Sequence, residues 1–192
     1  SRPTQIAETY VPSTDEPVDP LRTLTADTSM LNVEQEVGAG GLSTIYSATQ
    51  EPFEREVAVK TVRVDRFSER ALETLLKEGI LTGWLDHPNI VPVYDILDEE
   101  HGGPAILLKL IDGRPWSRCI EDPQLFPDYF AEDSAVESHI RILGEVCKAI
   151  DFAHSCGVVH CDIKPENVMV GEAGEVYVID WGLATAVEPE KL

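Results

Sequence analysis

Apolar and polar residues begin to alternate at Met30. Leu31, Val33 and Val37 lead into Gly38, Gly40 and Gly41, and Ile45, Tyr46 and Ala48 then resume the pattern. Side chains alternate between the two sides of an extended chain, so this reads as a strand, a glycine turn and a second strand. Over 56–62 a third strand is expected, with Val57, Val59 and Thr61 on one face and Ala58, Lys60 and Val62 on the other. The period then changes. Ala71, Leu75, Glu78 and Thr82 follow one another at helical spacing, and Ser68 can cap a helix over 68–85 that carries Glu78 in an apolar stripe. Strand-like stretches at 90–97 and 105–111 flank turn material at 98–104, which predicts a small antiparallel sheet with one helix.

Further along, 112–133 reads as an acidic loop, and Ser134 followed by Glu137 offers a capping box. Ile140, Leu143, Val146, Cys147, Ile150 and Ala153 form the stripe of a second helix ending near Gly157. Residues 168–170 and 175–179 are expected to pair as a hairpin across Gly171 and Gly174. Ahead of all this, 1–29 hold Pro3, Pro12, Pro17 and Pro20 among Ser, Thr and acidic residues with few apolar anchors, and read as a disordered leader.

Charge and cysteine usage narrow the function classes. Fifteen Lys and Arg against 35 Asp and Glu give a formal charge of −20, which repels phosphate backbones and argues against nucleic-acid binding. Any nucleotide site must then supply its own local positive charge. No apolar run approaches the ~20 residues of a membrane span, so no span is expected in this segment. Cys119, Cys147, Cys156 and Cys161 form no CxxC pair and no zinc-like spacing, which fits a reducing cytoplasm.

Candidate chemistry concentrates in three places. Glycines between strands usually mark a hairpin turn, but they also let backbone N–H groups approach phosphates. The second reading gains from Lys60, about twenty residues on in VAVK, an ammonium on an inward face that requires anions. Glu78 can meet one side of it and nucleotide phosphates the other; taken singly, each is more often a solvated surface charge. The densest signal is HCDIKPENV followed by VIDWG, from His160 to Gly182. Asp162 and Asn167 lie five residues apart around Lys164 and Pro165, and the hairpin can fold Asp180 back beside them. Phosphoryl transfer needs this set: hard oxygen ligands for magnesium, a carboxylate to orient a hydroxyl, and positive charge on the migrating group.

From Met30 to Ala184 these segments resemble the protein kinase superfamily, and the wording GAGGLSTIY, REVAVK and DIKPENVMV is closest to the eukaryotic-like serine/threonine kinases of bacteria. The resemblance implies an α+β, protein-kinase-like fold: an antiparallel-sheet N-lobe at 30–110, then the hinge, first C-lobe helix, catalytic loop and start of an activation segment at 111–192. It implies ATP and Mg2+ as cofactors and protein substrates with Ser or Thr hydroxyls. Val37, Gly38, Ala39, Gly40, Gly41 and Ile45 would form the nucleotide-covering loop. Lys60 would be the phosphate lysine and Glu78 its helix partner. Leu108 would be the gatekeeper, Lys109 and Ile111 the adenine contacts, and Ile45, Ala58 and Met169 would sandwich the adenine ring. Asp162 would be the catalytic base, Lys164 the γ-phosphate contact, and Asn167 and Asp180 the magnesium ligands, with His160 and Trp181 stacked between the lobes.

Three residues depart from the family pattern. Ser43 replaces the third loop glycine, Trp181 replaces the usual Phe, and Cys161 stands where many kinases carry an arginine that reads a phosphorylated activation loop. A thiol cannot make that bidentate contact. Leu192 falls before any APE-like motif, so the chain is expected to be a fragment of a larger kinase, with apolar surface left uncovered on its second helix. Two other functions compete with a protein kinase: a pseudokinase or truncated regulatory module that binds nucleotide without turnover, and a small-molecule kinase of the same fold.

Overall fold

The computed structural model describes residues 31–97 and 104–187, so the expected leader, Met30 and most of the turn at 98–104 lie outside the described residues. Five strands form an antiparallel sheet in the order β1-β2-β3-β5-β4: β1 Leu31–Ala39, β2 Ser43–Gln50, β3 Arg55–Val62, β4 Val93–Leu97 and β5 Ala105–Lys109. Because β3 lies at the centre and is covered on both sides, it is buried continuously from Val57 to Val62. Val57 and Val59 pack with Leu31, Ala48, Leu97 and Leu107, whereas Val62 packs with Ala71, Leu75 and Ile106. The alternation expected along this strand therefore holds, and Lys60 shares its side with Val62, beneath the first helix.

That helix, α1, runs Glu69–Trp84, and the Ser68 side chain accepts from the Ala71 N–H at 3.2 Å at its start. Ala71, Leu75 and Thr82 are buried on the predicted stripe, which turns Glu78 toward the sheet. The fourth strand begins later than the pattern predicts. Pro92 has no N–H for a ladder, and Ile90 and Val91 instead bond to the second sheet through a bridge to Val178.

The second sheet has three strands, β6 Gly113–Pro115, β8 Val168–Gly171 and β9 Val176–Val178, in the order β6-β8-β9. The stretch at 112–133 is more ordered than expected, since β6 runs into a short helix, α2, at Trp116–Glu121. Its signal is hidden by its length, less than two turns. Helix α3, Ala135–Ser155, begins with the expected capping box, Ser134 accepting from the Glu137 N–H while Glu137 accepts from that of Ser134. Its packed face is Ser138, Ile142, Val146, Ala149 and Ala153, in a core with Val158, Val168, Val178 and Trp181. Half of the predicted stripe points the other way: Ile140 is 64% exposed and Leu143 50%, alongside Val136 at 67%. The helix is thus apolar on two faces, one of which the described residues leave uncovered.

Candidate active site

The loop after β7, Val158–Val159, is held by side-chain hydrogen bonds within the protein itself. Pro165–Asn167 form one turn of 3-10 helix, with proline at a position whose N–H would find no helical partner. The turn brings Asn167 back onto Asp162: Asn167 Nδ2 donates to the Asp162 carbonyl at 2.9 Å and to Oδ2 at 3.0 Å. Lys164 Nζ donates to the same Oδ2 at 2.7 Å. These contacts, the Lys164 hydrogen bond foremost, lower the Asp162 pKa and keep the carboxyl ionised.

His160 is the anchor of this loop, 1% exposed. Its Nδ1 accepts from the Asp162 N–H at 3.2 Å, so the ring proton sits on Nε2, which donates to the Ile179 carbonyl at 3.0 Å. Burial lowers the His160 pKa and keeps the ring neutral, as this bonding pattern requires. Its ring lies 4.5 Å from that of the fully buried Trp181.

Asp180 follows β9, and the turn at 87–91 fixes that strand. Asn89 accepts from the Val178 N–H at 2.8 Å through its carbonyl and donates through Nδ2 to the Val176 carbonyl at 3.0 Å; Val91 N–H donates back to Val178 at 3.2 Å. From the other side, Ile179 N–H donates to the Asn167 carbonyl at 2.9 Å, which ties β9 to the loop that carries Asp162. The backbone of Asp180 then turns left-handed, at φ +59°. The sequence does not single out Asn89, which reads as one more polar residue of a turn, and its role in holding β9 comes only from the fold.

This turn carries Asp180 to the first sheet. Lys60 Nζ lies 2.5 Å from Glu78 Oε1 and 3.2 Å from Asp180 Oδ1, with the Lys60 and Glu78 side chains only 8% and 11% exposed. Burial presses Lys60 toward its neutral form, but attraction to Glu78 and Asp180 outweighs it and the pKa is raised. Burial also pushes Glu78 upward against the pull of the ammonium. With two carboxylates facing one ammonium, the proton stays on Lys60. Gly182 permits this approach, because a Cβ there would stand 3.3 Å from Glu78 Oε2.

The nucleotide candidates are distributed over the first sheet, the segment after it and the second sheet. The glycine loop joins β1 and β2, with Gly40 N–H bonded to the Ser43 carbonyl at 2.8 Å and Gly40 and Gly41 exposed. Gly38 is paired with Ile45 and Ile45 with Lys60, whereas Val37 and Ala39 are exposed. Ala58 lies opposite Leu108 in the β3–β5 ladder. Lys109 donates its N–H to the Pro92 carbonyl at 3.0 Å, and Ile111 follows, half-buried. Met169 lies in the second sheet, opposite Pro115 and Tyr177.

The donor chemistry fits a magnesium ion shared with a phosphate chain. With its Nδ2 committed to Asp162, Asn167 keeps Oδ1 for a hard cation, and Asp180 adds a carboxylate. Among the described residues no group of three or more His, Cys, Asp or Glu forms a metal cage. Mg2+ commonly takes one or two protein ligands and completes its shell with water and phosphate oxygens, a pattern that the Asn167 amide oxygen and the Asp180 carboxylate fit.

The site thus joins a carboxylate-bearing loop, through β9, to a buried lysine–glutamate pair on an antiparallel sheet with one helix. The chain belongs to the protein kinase domain family, whose match covers residues 31–192. It is 31% identical over 159 residues to the serine/threonine-protein kinase PknD of Protochlamydia amoebophila, covering 79% of this chain and 16% of that protein. It is 32% identical over 154 residues to PknD of Chlamydia trachomatis serovar D, covering 77% of this chain and 16% of the relative. With the probable serine/threonine-protein kinase PknB of Corynebacterium glutamicum it shares 34% identity over 155 residues, 79% of this chain and 23% of that protein. The chain thus spans less than a quarter of the length of these curated relatives. No helix among the described residues is long and apolar enough to cross a membrane.

Proposed function

We propose that this chain carries the catalytic machinery of a cytoplasmic, ATP-dependent serine/threonine protein kinase. The observation that carries the reading is the convergence of Lys60, Glu78 and Asp180 beside a loop in which Asp162, Lys164 and Asn167 already share hydrogen bonds.

In this reading the open backbone of the glycine loop covers the phosphates, and Lys60, held by Glu78, presents its ammonium to them. Ile45, Ala58 and Met169 enclose the adenine ring, Leu108 limits the depth of its pocket, and the backbone of Lys109 and Ile111 meets its edge. Asn167 and Asp180 would hold Mg2+, which supplies charge neutralisation along the phosphate chain when bound. Asp162 orients a Ser or Thr hydroxyl in line with the γ-phosphorus and takes its proton as the new O–P bond forms and the bond to the bridging oxygen breaks. Lys164, 2.7 Å from Asp162, places positive charge beside the migrating group. Ser/Thr selectivity rests on the resemblance of the KPEN loop and on the similarity to serine/threonine-protein kinases.

The test is transfer of labelled γ-phosphate from Mg·ATP to the full-length parent protein and to a basic protein substrate, beside its Asp162→Asn variant. Incorporation lost in the variant supports the kinase reading. No incorporation with intact Mg·ATP binding supports a pseudokinase instead, and transfer confined to small molecules supports the third alternative.

A further inference from the structure

A cleft of about 280 Å³ opens between α2 and the start of α3, on a part of the domain that the proposed chemistry does not use. Pro123, Phe126, Pro127 and Phe130 line it together with Asp128, Asp133 and the buried Ser138. At this volume it falls below the ~300–1,000 Å³ of a site for a nucleotide-sized ligand, and it suits a side chain or two.

The cleft is built in advance. Two prolines fix φ along the segment, and Phe126 packs 5.7 Å from Phe130 and edge-on to His139 at 5.0 Å. His139 is held in turn by Trp116, whose Nε1 donates to Nδ1 at 2.9 Å. Tyr129 is seated against the β8–β9 turn, where a Cβ on Gly174 would lie 2.2 Å from its ring. An occupant therefore meets a formed surface with little further ordering to lose.

Charge selects the occupant. Between Arg118 and Arg141 the sequence holds six acidic residues, Glu121, Asp122, Asp128, Glu132, Asp133 and Glu137, and no Lys or Arg. Asp133 already bonds to Arg141, whose guanidinium also lies 5.3 Å from the Phe130 ring centre and donates to Tyr129 Oη at 3.0 Å. The same surface thus holds one arginine by an aromatic face and a carboxylate. Asp128, an exposed residue of the cleft lining, has no cation bonded to it among the described residues.

We propose that this cleft docks an arginine-bearing segment of a protein partner, with the guanidinium on Asp128 and the aliphatic stem against the proline and phenylalanine walls. Arginine suits it better than lysine, since its planar cation both pairs with a carboxylate and stacks on rings. Docking here is a binding property of the lobe and does not depend on the phosphoryl-transfer reading.

The experiment is fluorescence anisotropy on the full-length protein, without nucleotide, using a fluorescein-labelled alanine octapeptide that carries two arginines flanking a leucine. Saturable binding is expected to weaken about tenfold, roughly 1.4 kcal/mol, in Asp128→Asn and when citrulline, neutral but of the same shape, replaces both arginines. Ala131→Leu, which fills the cleft from an exposed lining position, is expected to weaken it similarly with an unchanged melting temperature. Glu73→Gln, an exposed acid on α1, serves as the control for general charge attraction. The proposal is overturned if binding is not saturable, if Glu73→Gln loses as much as Asp128→Asn, or if Ala131→Leu binds like the wild type.

Discussion

Lys60 and Asp180 are 120 positions apart in the chain, yet Nζ of one lies 3.2 Å from Oδ1 of the other. One ammonium therefore joins the centre of the first sheet, α1 through Glu78, and the end of β9. Its loss should be felt in both halves of the site.

Replacing Lys60 with Met leaves the Glu78 carboxyl buried without its counter-charge, and burial already pushes that carboxyl upward. Its pKa is expected to rise further, so Glu78 takes up a proton and limits the cost to about 3 kcal/mol, the low end for breaking a buried pair. Carbon-detected NMR titration of the glutamate side chains tests this; an unchanged or lowered Glu78 pKa refutes it. Phosphoryl transfer should fall by at least about a hundredfold.

Asn89→Ala removes the Nδ2 donor that satisfies the buried Val176 carbonyl at 3.0 Å. A cost of about 1–3 kcal/mol is expected from that unpaired acceptor. Because β9 positions Asp180, activity should drop even at temperatures where the variant remains folded. Stability and initial-rate measurements on one preparation separate the two effects.

His160 gives the protein an acid-side sensitivity with a definite sign. Its folded pKa lies below the ordinary 6.5 because of burial, so the unfolded chain binds the proton more readily. The stability from the neutral ring is complete above about pH 6.5 and is lost as pH falls from there toward the lowered folded value. Melting temperatures between pH 7.5 and 5.5 should decline less steeply in His160→Gln, although that variant starts lower for want of the stacked ring. A parallel decline in both proteins would rule His160 out as the source.

Two glycines should respond oppositely to alanine. At Gly113 a Cβ would fall 2.2 Å from the Val170 carbonyl oxygen, so Gly113→Ala must push β6 from β8 and is expected to cost at least about 2 kcal/mol. At Gly144, inside α3, a Cβ meets nothing within 4 Å. Gly144→Ala is expected to stabilise by about 0.5–1 kcal/mol through helix propensity. Chemical denaturation of the two variants is the check.

Sequence pattern revealed the fold where one period persisted: the alternation of β3, the α1 stripe around Glu78, the Ser134 capping box and the hairpin after Asn167. It failed where a pattern was short or served two surfaces. Helix α2 has six residues, too few for a 3.6-residue period to declare itself. On α3 the apolar residues at 140, 143 and 147 formed a stripe as regular as the packed one, and periodicity cannot tell which of two apolar faces meets the core. Among the site candidates, Asp162, Lys164 and Asn167 could be grouped because they are close in sequence. The meeting of Lys60 with Asp180 depends on the backbone bonds of Asn89, which no local pattern encodes.

Cys161 and Asp180, which bracket the hairpin, both hold left-handed backbone angles, φ +65° and +59°. Glycine would occupy either position with less strain, by about 1 kcal/mol. At 161 such a change removes an exposed thiol and its long bond to the Val159 carbonyl at 3.5 Å, while at 180 it removes the carboxylate facing Lys60. A directed-evolution campaign that rewards heat resistance alone would therefore enrich glycine at 161, whereas at 180 the lost pair with Lys60 offsets the relieved strain. Thermal selection thus leaves the carboxylate at 180 in place, and libraries built from this domain can be screened for heat resistance first and for activity afterwards.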